Sequence, residues 1–175
     1  MPRAGTSWDF STWPGTGTPT CHPPHRTCSA TLHALSEITA PRGLRLRTIE
    51  DRWRGYGGRL SLLAGPALAH TDLHRHNIMV SDSAKLIDWA WPTLAAPWFD
   101  TACAALQLIH AGHHPKDAEL WCQELPAYAA ASDEAVSAFV TAARGLWHDI
   151  SSADPQPWKR EVATSAGRWV IHRGL

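Results

Sequence analysis

The chain has 175 residues, enough for one hydrophobic core, so we expect a single folded domain. Its 16 basic and 16 acidic residues cancel, and no run of like charges is long enough to suggest a nucleic-acid or lipid surface. No apolar run could cross a bilayer, and the four cysteines are too sparse for a disulfide framework. These features favour a cytoplasmic protein with reduced thiols, and they argue against nucleic acid or a membrane as its partner.

The first 28 residues differ in composition from the rest of the chain. They are rich in Pro, Gly, Thr and Trp and show neither helical nor strand periodicity, so we expect residues 1–28 to be poorly ordered. Two cysteines and two histidines there could form a zinc site, but a Pro-Pro pair stiffens the stretch and no second ligand pair supports the site. These four residues are Cys21, His22, His25 and Cys28. The folded domain is predicted to cover residues 29–175.

Two helices are predicted before the central part of the chain. Apolar residues recur at helical spacing after Ser29, which is a suitable N-cap. A second set of apolar residues at helical spacing runs from Ile49 to Leu63, although three glycines weaken it. Residues 66–69 then lead into the central part.

Four more helices are predicted after the central part. Pro97 begins the first, with Phe99, Cys103, Leu106 and Ile109 on its buried side and Gly112 as its stop. A short helix runs from Pro115 to Leu125. A longer helix follows an N-cap at Ser132, and the last one starts at Pro157.

The most informative segment lies between these helices, at residues 70–77 (HTDLHRHN), and Asp88 follows Asn77 by eleven residues. Apolar runs at residues 78–80 and 86–87, separated by a polar turn, predict a hairpin that returns Asp88 to the loop carrying Asp72 and Asn77. Hard oxygen ligands suit Mg²⁺, and a remaining carboxylate can orient or deprotonate an attacking hydroxyl. The segment therefore predicts a phosphotransfer site.

This pattern, H-x-D-x-x-x-x-N followed by I-D-W, resembles the aminoglycoside phosphotransferase family of the protein-kinase-like fold. The resemblance implies that Asp72 is the catalytic base or hydroxyl-orienting residue and that Asn77 and Asp88 bind the metal. The implied cofactors are Mg²⁺ and ATP, and the implied partner is a small-molecule hydroxyl acceptor. The family often has Pro-Gly where this chain has Arg75-His76, so the loop lacks a glycine there.

Three further residues take roles from the same resemblance. His70 would pack beneath the catalytic loop, and His74 would contact the transferred phosphate. Asp100 would anchor the loop by accepting backbone hydrogen bonds.

The resemblance implies an α+β, mostly α fold: the C-terminal lobe of the protein-kinase-like fold with a small catalytic β-hairpin. The N-terminal lobe, which would carry a nucleotide-covering loop and a phosphate-binding Lys, is predicted to be absent. All three lysines, Lys85, Lys116 and Lys159, follow Asp72. We therefore expect a truncated enzyme that is weak or inactive alone and that self-associates through its exposed lobe interface.

Two other functions remain open at this point. The first is a non-catalytic remnant that binds a small molecule or a protein. The second is a metallohydrolase that uses the alternating cluster His70, Asp72, His74 and His76 around zinc or a metal pair. That alternative leaves the positions of Asn77 and Asp88 unexplained.

Overall fold

Helices dominate the part of the chain that the computed structural model describes, which is residues 6–7, 23–41, 43–80 and 84–175. The α-helices of these residues are α1 (Pro23–Ser36), α2 (Ile49–Arg52), α3 (Phe99–His110), α4 (Pro115–Cys122), α5 (Pro126–Ala129), α6 (Asp133–Ala153) and α7 (Pro157–Arg173), with a short 3₁₀ helix at Leu60–Leu63. With its small sheets, this part is α+β and mostly helical, as predicted. Among these helices there is none whose length and apolar character would suit a membrane span.

Two three-stranded sheets lie among the helices. The first has the order β1 (Thr6–Ser7), β4 (Ile78–Val80) and β5 (Ala84–Leu86), and its strands are antiparallel. The second has the order β2 (Arg47–Thr48), β6 (Thr93–Ala95) and β3 (Ala67–Ala69). Its central strand β6 runs parallel to β2 and antiparallel to β3, so that Ala69 lies opposite Thr93. The loop with the candidate site begins directly after Ala69.

The predicted hairpin is confirmed in its strands. Ile78 pairs with Leu86 and Met79 with Lys85 in an antiparallel register. Its predicted turn, residues 81–83, lies outside the described residues. The strand pairing therefore returns the chain toward Asn77 before Asp88 is reached.

The helices after the hairpin follow the sequence pattern closely. In α3 the predicted side chains at Phe99, Cys103, Leu106 and Ile109 are all buried. The chain leaves α3 at Gly112, whose φ of 106° is a conformation that only glycine adopts without strain. The hydroxyl of Ser132 accepts the backbone N–H of Ala135 and caps α6, as predicted.

The single helix predicted over residues 49–63 is wrong. The apolar spacing is real, but α2 ends after Arg52 and the 3₁₀ helix begins only at Leu60. Gly55, in the intervening turn, has a φ of 97°. Glycine lowers helix stability by about 1 kcal/mol relative to alanine, and three glycines within four residues outweigh the apolar periodicity.

The first helix also begins earlier than predicted. It starts at Pro23 rather than after Ser29, so it crosses the boundary expected at residue 28. Proline at a first helical position needs no N–H partner, which makes Pro23 a suitable start. The short strand β1 also lies in the segment expected to be poorly ordered, and residues 1–5 and 8–22 lie outside the described residues. In the later part of the chain, α4 ends at Cys122, and Pro126 opens the separate helix α5.

The core is an aromatic cluster around Phe139 of α6. Its ring lies 5.1–6.1 Å, centroid to centroid, from four other rings, mostly edge to face or tilted. These are Trp53, Trp98, Phe99 and Trp169. Phe99 is the first residue of α3, so the same cluster fixes the N-terminal end of that helix. The next residue, Asp100, faces the candidate site.

Candidate active site

The loop after β3 is anchored by the carboxylate of Asp100. One oxygen accepts the backbone N–H of His70 at 2.7 Å, and the other accepts the N–H of Thr71 at 2.8 Å. Asp100 is 5% exposed, and this burial raises the pKa of its carboxyl above the ordinary value, while the two N–H groups act in the opposite direction. The loop start is therefore attached to the first turn of α3 by the contact that the family resemblance implies.

His70 lies beneath the loop and is fully buried. Its Nδ1 accepts the backbone N–H of Asp72 at 3.3 Å, so its Nε2 carries the proton and donates to the carbonyl of Ile87 at 2.9 Å. The ring also packs edge-on against Trp89, with centroids 4.7 Å apart. His70 thus joins the loop to the far end of the hairpin, and neither of its nitrogens is free to bind a metal.

Asn77 orients the carboxylate of Asp72. The amide Nδ2 of Asn77 donates to the backbone carbonyl of Asp72 at 3.0 Å and to its side-chain Oδ2 at 3.2 Å. Asn77 is 4% exposed, whereas the Asp72 side chain is 39% exposed. One oxygen of Asp72 is therefore held by the protein while the carboxylate remains accessible from solvent. The amide oxygen of Asn77 is left for another partner.

Asp88 lies in the chain directly after the paired strands of the hairpin. Beyond the last strand pair, the N–H of Ile87 donates to the carbonyl of Asn77 at 3.0 Å. The next residue, Asp88, is exposed and has a φ of 59°. Asn77 and Asp88 therefore lie at the same open end of the hairpin and present two oxygen-bearing side chains of the kind that Mg²⁺ prefers.

His74 lies near the carboxylate of Asp72. Its Nδ1 accepts the N–H of His76 at 3.2 Å, and its Nε2 lies 3.8 Å from Oδ2 of Asp72. Burial lowers the pKa of His74 below its ordinary value, and the Asp72 carboxylate opposes this effect. In the neutral form of the imidazole, the acceptor role of Nδ1 places the proton on Nε2.

Backbone strain is concentrated in this site. Thr71 has a φ of 67°, and Thr71 and Asp88 are the two non-glycine residues of the described chain with positive φ. A β-branched residue in that region is an outlier that its surroundings must hold in place, and such residues cluster at functional sites. Arg75 and His76 need no positive φ, so the glycine that the family often has there is not required.

The sequence did not reveal the contacts made by Thr71, Trp91, Thr93 and Arg52. The hydroxyl of Thr71 donates to the backbone carbonyl of Trp91 at 2.9 Å, and Arg52 reaches the same region from α2. A carbonyl acceptor is the same in every residue, so no side-chain pattern could have identified it. A threonine in a loop carries no signal for positive φ.

His70 is not available as a ligand for the metallohydrolase alternative. His70 uses both ring nitrogens for hydrogen bonds, and no cluster of three or more His, Cys, Asp or Glu side chains suited to a metal ion occurs in the described ranges. The zinc site considered near the N-terminus falls partly outside those ranges, at Cys21 and His22. Cys28 itself is buried in α1, where burial raises the pKa of its thiol to about 12.

Comparisons with known proteins do not assign the chain to a family. No family model, no curated protein and no solved structure matches the chain.

Proposed function

We infer that the chain is a phosphotransferase of the aminoglycoside phosphotransferase type, built on the catalytic lobe of the protein-kinase-like fold. It would transfer the γ-phosphate of ATP to a hydroxyl of a small molecule. The supporting observation is the loop held by Asp100, in which Asn77 fixes one oxygen of an accessible Asp72 and the hairpin brings Asp88 to the same end. Hydrolysis by a zinc cluster would need none of these contacts.

Asp72 would act on the acceptor. Its free carboxylate oxygen would accept the hydrogen bond of the substrate hydroxyl and take up its proton as the hydroxyl oxygen bonds to the γ-phosphorus. The bond from that phosphorus to the bridging oxygen breaks, and ADP leaves. The Nε2–H of the His74 imidazole would donate to a phosphoryl oxygen beside Asp72.

Asn77 and Asp88 would hold Mg²⁺, which neutralises charge on the phosphates when it is bound. The donor set fits this ion, because the amide nitrogen of Asn77 is already bonded to Asp72 and its oxygen is left for a cation. The exposed carboxylate of Asp88 is of the same hard-oxygen type.

The resemblance implies a lysine upstream of Asp72 that holds the nucleotide phosphates. Every lysine follows Asp72 in the sequence, and phosphoryl transfer depends on positioning and charge neutralisation. We therefore expect weak transfer by the 175-residue chain. Exposed apolar side chains beside the site, Ile87, Trp89 and Trp91, favour self-association. Three buried free thiols, those of Cys28, Cys103 and Cys122, agree with a cytoplasmic location for an ATP-dependent enzyme.

Binding of a paramagnetic ion tests the metal ligands directly. Mn²⁺ with ATP should broaden the backbone amide signals of Asn77 and Asp88 in the ¹⁵N-labelled chain, and Asp88→Asn should abolish that broadening. Asp149→Asn, which changes an exposed carboxylate of α6, is the matched control and should leave it intact. Equal broadening in the Asp88 variant would refute the metal assignment.

Phosphate transfer from labelled ATP to a panel of amino sugars and other hydroxyl compounds tests the reaction. The expected result is slow transfer that disappears in Asp72→Asn. Broadening by Mn²⁺ without any transfer to any acceptor would instead favour the non-catalytic binding module. Transfer that survives in Asp72→Asn would refute the role of that carboxylate.

A further inference from the structure

Thr71 occupies a conformation that costs free energy, and two hydrogen bonds on its two sides oppose that cost. Its φ of 67° is unfavourable for a β-branched residue. Its N–H is bound by Asp100 at 2.8 Å, and its hydroxyl donates to the carbonyl of Trp91 at 2.9 Å. The residue that follows is Asp72. The conformation of Thr71 therefore sets the direction in which the Asp72 side chain leaves the backbone.

The carbonyl of Trp91 is shared with a second hydroxyl. Thr93, which is fully buried at the start of β6, donates to the same oxygen at 2.8 Å. Thr93 also lies opposite Ala69, two residues before Thr71. The Trp91 carbonyl, which accepts from the Thr71 hydroxyl, is therefore held in place by β6. The same strand pairs with β3, from which the loop begins.

Arg52 holds the other end of this arrangement. Its Nε donates to the hydroxyl of Thr93 at 2.7 Å, which leaves the Thr93 hydroxyl proton for the Trp91 carbonyl. Its guanidinium carbon lies 5.3 Å from the centre of the Trp91 ring, within the range of a cation–π contact. Arg52 thus fixes Trp91 through both its ring and, by way of Thr93, its carbonyl.

From these contacts we propose that Arg52 and Thr71 are positioning residues for Asp72, acting through a clamp made of Arg52, Thr93, Trp91 and Thr71. The clamp is the second support of the loop, opposite Asp100. It extends the proposed function, on which its catalytic meaning rests. Its geometry can be tested independently of any phosphate transfer.

Amide hydrogen exchange at His70 and Thr71 measures the clamp directly. Thr71→Val keeps the shape and β-branching but removes the hydroxyl, and after correction for intrinsic rates it should speed exchange at both amides about three- to tenfold. Thr71→Ser keeps the hydroxyl and should restore the wild-type rates. The amide of Val140, buried in the helical core, should exchange at the wild-type rate in both variants.

A matched pair of arginine variants tests the contribution of Arg52 to the clamp. Arg52→Gln should speed exchange at the same two amides about two- to threefold. Arg54→Gln is the control, because Arg54 lies two residues further on, is exposed and pairs only with Asp51 among the described residues. Unchanged loop exchange in Thr71→Val, or a parallel rise at Val140, would overturn the clamp.

Activity then connects the clamp to Asp72. In a chain that transfers phosphate, Thr71→Val should lower kcat by about the same three- to tenfold and leave KM unchanged, with recovery in Thr71→Ser. An unchanged kcat with faster loop exchange would overturn the positioning role. A wild-type chain that transfers no phosphate would refute the proposed function, while the exchange rates would still decide whether the clamp exists.

Discussion

The helical region of α3, α6 and α7 and the loop region, residues 70–80 and 84–91, are stabilised in different ways. The helical region is held by aromatic and aliphatic packing, in which each side chain has many neighbours. The loop region contains both non-glycine residues with positive φ in the described part of the chain, and it depends on a few hydrogen bonds that involve Asp100, His70 and Asn77. The site is therefore specified by single polar contacts, each made by one or two side chains. Substitutions in the two regions should consequently have different signatures.

The largest effect is expected in the helical region. Phe139→Ala removes the ring at the centre of the aromatic cluster and should lower the free energy of unfolding by about 3–5 kcal/mol. Chemical denaturation measures this loss, and Trp158→Ala is the control because that ring is 51% exposed. Similar losses in the two variants would show that the cluster is not the main source of stability.

Asp100→Ala tests the loop region. It leaves the N–H groups of His70 and Thr71 without their acceptor, and the expected loss of unfolding free energy is about 2–4 kcal/mol. Phosphate transfer should be lost as well, because the loop no longer has a fixed start. Asp117→Ala, on α4, serves as the control for removing a carboxylate. An Asp100 variant with full stability and unchanged loop amide exchange would contradict the anchor.

Gly65→Ala tests the junction between the two regions. A Cβ at this position would lie 2.7 Å from the carbonyl oxygen of Ala95 and from the Cα of Ala96, and backbone atoms cannot move away cheaply. We expect a loss of about 1–3 kcal/mol and displacement of β3, which leads into the loop. Gly58→Ala is the matched control, since a Cβ there meets nothing within 4 Å. Thermal unfolding of the two variants provides the comparison.

Alkaline pH gives the smallest predicted effect. Burial raises the pKa of Cys28 from 9.0 to about 12, so the thiol ionises in the unfolded chain before it does in the folded one. Stability from this group is complete below pH 9.0 and is lost as pH rises from there toward about 12. At pH 10 the loss is about 1 kcal/mol for this thiol. Denaturation at pH 8 and pH 10 should therefore show a smaller pH dependence in Cys28→Ala than in the wild type.

Most of the helical region could be predicted from the sequence because its signals are local. The N-cap at Ser132, the buried side of α3 and the stop at Gly112 each depend on residues within a few positions of one another. The break after α2 was missed because apolar periodicity was given more weight than the cost of consecutive glycines. The start of α1 was missed because a serine further along also suited an N-cap.

The residues of the candidate site remain a prediction from the motif, whereas the contacts that support the loop could not be predicted from the sequence. The sequence motif places Asp72 and Asn77 on one loop, where their side chains share a hydrogen bond, and the hairpin pairing returns the backbone to Asn77 one residue before Asp88. The clamp formed by Arg52 and Trp91 joins elements that are distant in sequence through a carbonyl and a ring face, which leave no pattern in the chain. Such contacts become visible only once β2, β6 and β3 are placed side by side.

The separation in sequence between the loop and Asp100 has a consequence for folding during synthesis. The N–H groups of His70 and Thr71 donate to the carboxylate of Asp100, which lies 30 residues after His70 and 29 residues after Thr71. A nascent chain that has exposed the loop but not α3 cannot close it, because the loop-closing partner is still inside the ribosome. The site should therefore appear late and in one step as α3 emerges, and a chain stalled before Asp100 should carry an open, protease-sensitive loop.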